Sequence, residues 1–69
     1  MSVEKSIDLT ATGTSIEEAV SNAIARAGLT IRGIGSFEVK RVAGDVGEGG
    51  IVYRVWVRVW FVVKEPLHE

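Results

Sequence analysis

Ile51-Val52-Tyr53-Arg54-Val55-Trp56-Val57-Arg58-Val59-Trp60-Phe61-Val62-Val63-Lys64 decides the fold. Its side-chain character repeats every two residues, the period of a strand and not of a helix. One side carries Tyr53, Val55, Val57, Val59, Phe61 and Val63, and the other carries Val52, Arg54, Trp56, Arg58, Trp60 and Val62. The valine side calls for a cover. The second side, with two arginines and two tryptophans, calls for an explanation. Pro66 marks the end of the strand just after Glu65, because proline cannot donate to a ladder.

Working back from this strand, Gly44-Asp45-Val46-Gly47-Glu48-Gly49-Gly50 reads as a glycine-dense connection, long for a tight hairpin. Ser36 to Val42 alternates again, with Phe37 and Val39 against Ser36, Glu38 and Lys40. Before it, Ile16, Ala19, Val20, Ala23, Ile24, Ala27, Ile31 and Ile34 recur at the three-and-four spacing of one helical face. Ser15 is placed as N-cap, with Glu18 completing a capping box. Gly28 interrupts the pattern, but its continuation to Ile31 predicts a helix that stops nearer Gly33. Val3 to Thr10 is a half-buried strand with Val3, Lys5, Ile7 and Leu9 on one side, and Thr10 to Ser15 is the turn after it. The order is β-α-β-β, an α+β fold, with residues 1–69 as a single domain.

Length and composition narrow the function. At 69 residues the chain is below the size at which one core suffices, and some further staple is expected. It has no cysteine and one histidine, His68, so disulfides, a thiolate zinc site and a single-chain imidazole cluster are all excluded. Oligomerisation is the staple left. Eight basic against nine acidic residues argue against a nucleic-acid grip or a polybasic membrane anchor. The chain has no run long enough for a membrane helix and no signal-peptide pattern, so it reads as a soluble cytoplasmic protein.

Chemical motifs are few. The Gly44–Gly50 segment lacks the Lys-Ser/Thr pair of a P-loop and precedes a strand. Gly33-Ile34-Gly35 follows a helix and is no dinucleotide fingerprint. Thr10–Ser15 opens a helix, where ordinary capping competes with anion binding. Asp8 and Glu38 share a face with arginines and read as ion-pair partners, while Asp45 and Glu48 fall short of a calcium ligand set. His68 reads as a solvated tail residue. No nucleophile has a visible base, so no catalytic residue and no metal site is assigned.

The two faces of the sheet are unequal in cover. One helix shields one face, leaving Arg54, Trp56, Arg58 and Trp60 on the other with Glu38, Lys40, Ser6 and Asp8. Soluble monomers seldom expose an aromatic patch of this size. The face is therefore expected to be an assembly interface, a ligand site or both. Cation–π cover of the rings by Arg54 and Arg58 in a monomer is the competing reading.

In this order, the residues resemble the dodecin family of small flavin-storing proteins. The likeness rests on Ser15-Ile16-Glu17-Glu18-Ala19 through Ala23-Ile24-Ala25-Arg26-Ala27, on Phe37-Glu38-Val39-Lys40, and on Gly47-Glu48-Gly49-Gly50 followed by Tyr53-Arg54-Val55 and Val59-Trp60-Phe61. It implies a three-stranded antiparallel sheet wrapped on one helix. It further implies a hollow homo-oligomer of twelve copies, helices outward and sheets inward. Flavin-binding members usually carry a tryptophan just before the Phe-Glu-Val segment, where this chain has Ser36. They usually carry a glutamine where this chain has Arg54, which has donors only. Trp56, on the same face as Arg54, is then a substitute ring, and Trp60, at a position typically small in the family, fills the cage wall. The candidate ligand-binding residues are Ser36, Glu38, Arg54 and Trp56, with Arg58 and Trp60 as interface or cage interior. The implied cofactor is a flavin of the FMN or riboflavin type, and the implied partner is the chain itself. The alternative is a non-flavin scaffolding or cation-binding oligomer of the same type, since some members lacking the tryptophan resemble non-flavin cages and one such type is linked to calcium.

Overall fold

The computed structural model describes residues 2–64; Pro66 and His68 lie outside them. The elements are β1 (Ser2–Gly13), α1 (Ile16–Gly28), β2 (Ile34–Gly47) and β3 (Gly50–Lys64). The sheet order is β1-β3-β2, and both pairings are antiparallel. The most apolar strand thus takes the central position, where both edges are paired and its valines can be covered. Val55, Val57 and Val59 are fully buried there.

The helix lies on the valine side. Ala19, Ala23 and Ala27 are its buried residues, so the backbone comes close to the sheet. Leu9, Ala11, Val20, Ile24, Ile34 and Val39 pack around this centre. Gly13 admits the close approach at the helix start: a Cβ there would stand 2.6 Å from the Ala19 backbone nitrogen. Ser15 is the N-cap, its Oγ accepting from the Glu18 N–H at 3.0 Å. Glu18 reaches back one residue further than a capping box requires, accepting from the Thr14 N–H and hydroxyl, the latter at 2.8 Å. These bonds, the backbone one foremost, hold the Glu18 carboxyl below its usual range.

Three expected boundaries move. The helix ends at Gly28 and not near Gly33. Leu29 and Thr30 instead donate to Arg26 and Ala27 in tightened turns, with Ile31 bonding Ala27, and Gly33 turns the chain at φ +80°. Ile34 then starts β2, yet packs on the same core as the helix. The turn expected over Thr10–Ser15 shrinks, because β1 runs on to Gly13. The connection expected over Gly44–Gly50 is a two-residue turn, Glu48-Gly49, since Gly47 pairs with Gly50. Gly50 has φ +125°, a conformation that favours glycine.

The result is long and thin, 62 × 19 × 12 Å, with a radius of gyration of 15.1 Å. A compact chain of this length would have about 11 Å. A fifteen-residue strand spans about 50 Å and a thirteen-residue helix about 20 Å, so one helix covers only the middle of the sheet. Beyond it, apolar side chains stay in solvent, Val46 at 84% and Ile51 near the hairpin turn and Val3 toward the other end; beside it, in the row of the buried Val59, Phe37 is 50% exposed and Ile7 is exposed as well. The buried core is three alanines and three valines.

Candidate functional site

The face opposite the helix is built in rows, because antiparallel partners project to the same side. Strand register sets four of them. Ser6, Trp60 and Ser36 form one row, and Asp8, Arg58 and Glu38 the next. Thr10, Trp56 and Arg41 form the third, and Thr12, Arg54 and Ala43 the fourth. All four β3 residues in these rows are half-buried within the chain.

The candidate residues therefore do not form one cluster. Ser36 is beside Trp60 and Glu38 beside Arg58, whereas Arg54 adjoins Trp56 further along β3. Trp56 and Trp60 are four residues apart, about 13 Å along a strand. Within one chain, Trp56 is thus not a ring standing in at Ser36.

Two side chains that sequence reasoning missed complete the face. The register of β2 shifts between Val39 and Arg41, so Lys40 is the extra residue of a bulge. Strict alternation would put Arg41 on the helix side with Phe37 and Val39. The bulge instead sets it opposite Trp56, its Cζ 4.4 Å from the ring centroid. A charged residue falling on the apolar side of an alternating run was the available signal. The other is Asp45, whose Oδ2 accepts from an Arg54 terminal nitrogen at 2.9 Å. Asp45, which with Glu48 falls short of a calcium ligand set, thus serves as an ion-pair partner of Arg54.

Cation–π cover is real but differs from expectation. Arg41 and Arg54 cover Trp56, the latter at 5.7 Å. Arg58 covers neither ring and binds Asp8 bidentately, Nε to Oδ1 at 2.7 Å and its terminal nitrogen to Oδ2 at 3.1 Å. The Arg58 bond holds the Asp8 carboxyl below its usual range, and Asp8 raises the Arg58 guanidinium in turn. Lys40 lies 3.6 Å from Glu38. The Arg54 Nε is shut off from solvent and bonds nothing within the described residues, an arrangement that leaves a strong donor wanting an acceptor.

Among the described residues no three Asp, Glu or His side chains converge in a way that could hold a metal ion, and no helix is long and apolar enough to cross a membrane. On the helix side, a groove of about 590 Å³ lies between Val20, Ile24 and Phe37. It is nearly all apolar and stands apart from the arginine–tryptophan face.

A β-α-β-β chain with a long antiparallel sheet, a single alanine-lined helix and a polar-aromatic far face defines a narrow class of small proteins. Residues 3–64 match the family model for Dodecin. A curated dodecin from Thermus thermophilus is 38% identical over 65 residues, covering 91% of this chain and 94% of that one. A solved point variant of Thermus thermophilus dodecin superposes with a TM-score of 0.87 at 37% identity, covering 96% of this chain and all of that one. Dodecin from Streptomyces coelicolor superposes at 0.84 with 27% identity, over 94% and 96% of the two chains. A calcium-chelating dodecin from Mycobacterium tuberculosis, whose structure contains a calcium-binding site, superposes at 0.77 with 33% identity, over 94% and 99%. The chain belongs to the dodecin family.

Proposed function

We propose that the chain assembles with copies of itself into a closed shell of dodecin type, twelve by family likeness, whose sheet face lines the interior and takes up a small ligand. The observation that carries this is the mismatch between a six-residue core and the apolar surface left bare beyond it. Val46 and Ile51 lie past the end of the single helix and Phe37 and Ile7 lie to its sides, and sister subunits supply the cover it does not give. The acceptor missing at the Arg54 Nε fits the same account, since a neighbouring copy or a ligand brings one.

Ser36, Glu38, Arg54 and Trp56 are the proposed ligand-facing residues, with Arg58 and Trp60 in the wall. A flavin of the FMN or riboflavin type is the ligand class the family suggests. The face is suited to binding and storage.

A second reading has its own observation. Ser36 offers no ring and Arg54 no acceptor toward a neutral flavin edge, which favours a scaffold or a cation-stabilised shell without flavin. Titration of the assembled protein with riboflavin and with FMN, followed by flavin fluorescence, separates the two. Saturable quenching supports the ligand store. Unquenched flavin at high protein concentration leaves the scaffold. The variant Arg54→Ala adds a second arm: lost uptake with an intact particle favours the store, and a weakened particle favours the scaffold.

A further inference from the structure

We infer that the β2–β3 hairpin end of one copy seats in the groove between α1 and the outer edge of β1 on the next copy. Val46 then packs against Leu29, and Glu48 pairs with Arg26. This rests on the self-assembly reading above and names which surfaces meet.

Two patches of the chain lack cover, and the first is the hairpin end. Gly13, the last residue of β1, pairs with Tyr53. The pairs Asp45–Val52, Val46–Ile51 and Gly47–Gly50 therefore run on as two strands without a third. A bare two-stranded ribbon is marginal in water. On the side that the helix occupies further along, this ribbon carries Val46, 84% exposed, and Ile51, exposed as well. Glu48 stands in the turn beside them and has no ion-pair partner among the described residues.

The second patch is a groove of about 660 Å³ whose walls include Leu9, Ala11, Asn22, Arg26 and Leu29. One wall is the outer edge of β1, which has a neighbouring strand on one side only. Such edges are commonly covered in native proteins. Asn22 ties the helix to this edge by donating to the Thr12 carbonyl at 2.9 Å. Leu29 is 77% exposed. Arg26 has no ion-pair partner among the described residues.

The patches match in chemistry and in spacing. Each sets an exposed aliphatic side chain beside a charge, acidic on the hairpin and basic on the helix. Arg26 and Leu29, three residues apart at the helix end, are about 5–6 Å apart at Cβ. Val46 and Glu48, two residues apart at the strand end, are about 6–7 Å apart. They cannot meet within one chain. Val46 pairs with Ile51 and Leu9 with Val57, six residues along β3 and about 20 Å away. A contact between unlike patches of two copies is heterologous, and repeated about a rotation axis it closes, as a shell requires. The other groove, beside Phe37, has Glu17 on its rim and would repel Glu48.

The test uses the assembled full chain, with particle mass followed by sedimentation on dilution. Arg26→Glu and Glu48→Arg each set like charges together. Each is expected to raise the concentration at which half of the particle dissociates at least tenfold. The double variant, with the charges exchanged, is expected to return within threefold of wild type. Single variants within twofold of wild type, or a double variant no better than the singles, overturn the inference while the shell stands. Because the chain has no cysteine, a second arm reads the contact itself. Leu29→Cys and Val46→Cys in one chain, treated with a short bis-maleimide, are expected to give covalent products of three or more chains, and either substitution alone is expected to give none. An intact particle without such products overturns the inference, even where the charge variants fail to fold. If wild type sediments as a single chain, the self-assembly reading itself falls, and this inference with it.

Discussion

Ser36 and Trp60 are direct partners across β2 and β3, one of the two serines of the face set against one of its two tryptophans. The pairing makes the volumes at the two positions interdependent. Ser36→Trp alone places two indoles in one row and is expected to destabilise the protein by about 1–3 kcal/mol through crowding. Adding Trp60→Ser should recover at least about 1 kcal/mol of that loss, a coupling expected of side chains in contact. Denaturant unfolding of the two single variants and the double variant measures it. Additive effects would mean that the two side chains do not share space.

Gly13 and Gly28 bracket the helix and should respond in opposite directions to alanine. At Gly13 the new Cβ meets the backbone of Glu18 and Ala19 at 2.6–3.1 Å, so the helix start must shift. The expected cost is about 1–3 kcal/mol. At Gly28 nothing lies within 4 Å and φ is not positive. Gly28→Ala should stabilise by about 0.4–1 kcal/mol by narrowing the unfolded ensemble. Thermal unfolding of the pair checks both signs, and two losses would contradict the account of Gly28.

Asp8 and Glu18 make stability sensitive to acid. Both carboxyls are held below their ordinary values of 3.8 and 4.5, Asp8 chiefly by the Arg58 hydrogen bonds and Glu18 chiefly by the Thr14 N–H. A group whose pKa is lowered by folding stabilises the folded state above its unfolded pKa. That contribution is lost as pH falls through the folded value. The melting temperature should therefore be flat near neutrality and fall as pH drops below about 4.5. Glu18→Gln should lower the neutral plateau and flatten the acid limb. A melting temperature that rises on acidification would contradict this.

Val46, the most exposed large apolar residue among those described near the hairpin turn, tests where subunits meet. Val46→Glu adds a charge at a surface that the assembly would bury, while removing little from the core of its own chain. The expected result is a large fall in particle mass at micromolar protein. A particle of unchanged mass and unchanged melting temperature would show that the hairpin end stays in solvent.

Much of this was legible from period alone. The valine series of β3, the helix stripe through Ala27 and the Ser15 cap follow from local rules, and the structure contains them. What failed did so for specific reasons. The helix pattern ran past Gly28 because Ile34, which starts β2, packs on the same core and so falls in phase with the stripe. The Gly44–Gly50 segment looked like a loop, yet Gly44 sits in the ladder where a Cβ would stand 3.2 Å from the Val52 carbonyl oxygen. Arg41 was hidden by the bulge at Lys40, since one extra residue reverses which face a side chain takes. Rows across the sheet, and with them the pairing of Ser36 with Trp60, depend on register that no single strand encodes.

Sedimentation velocity of the purified protein at micromolar concentration bears most directly on the central claim, that this sheet is completed by copies of its own chain. The account predicts one species many times the 7.5 kDa chain mass, close to twelvefold. A folded, cooperatively melting species at the mass of one chain would contradict it.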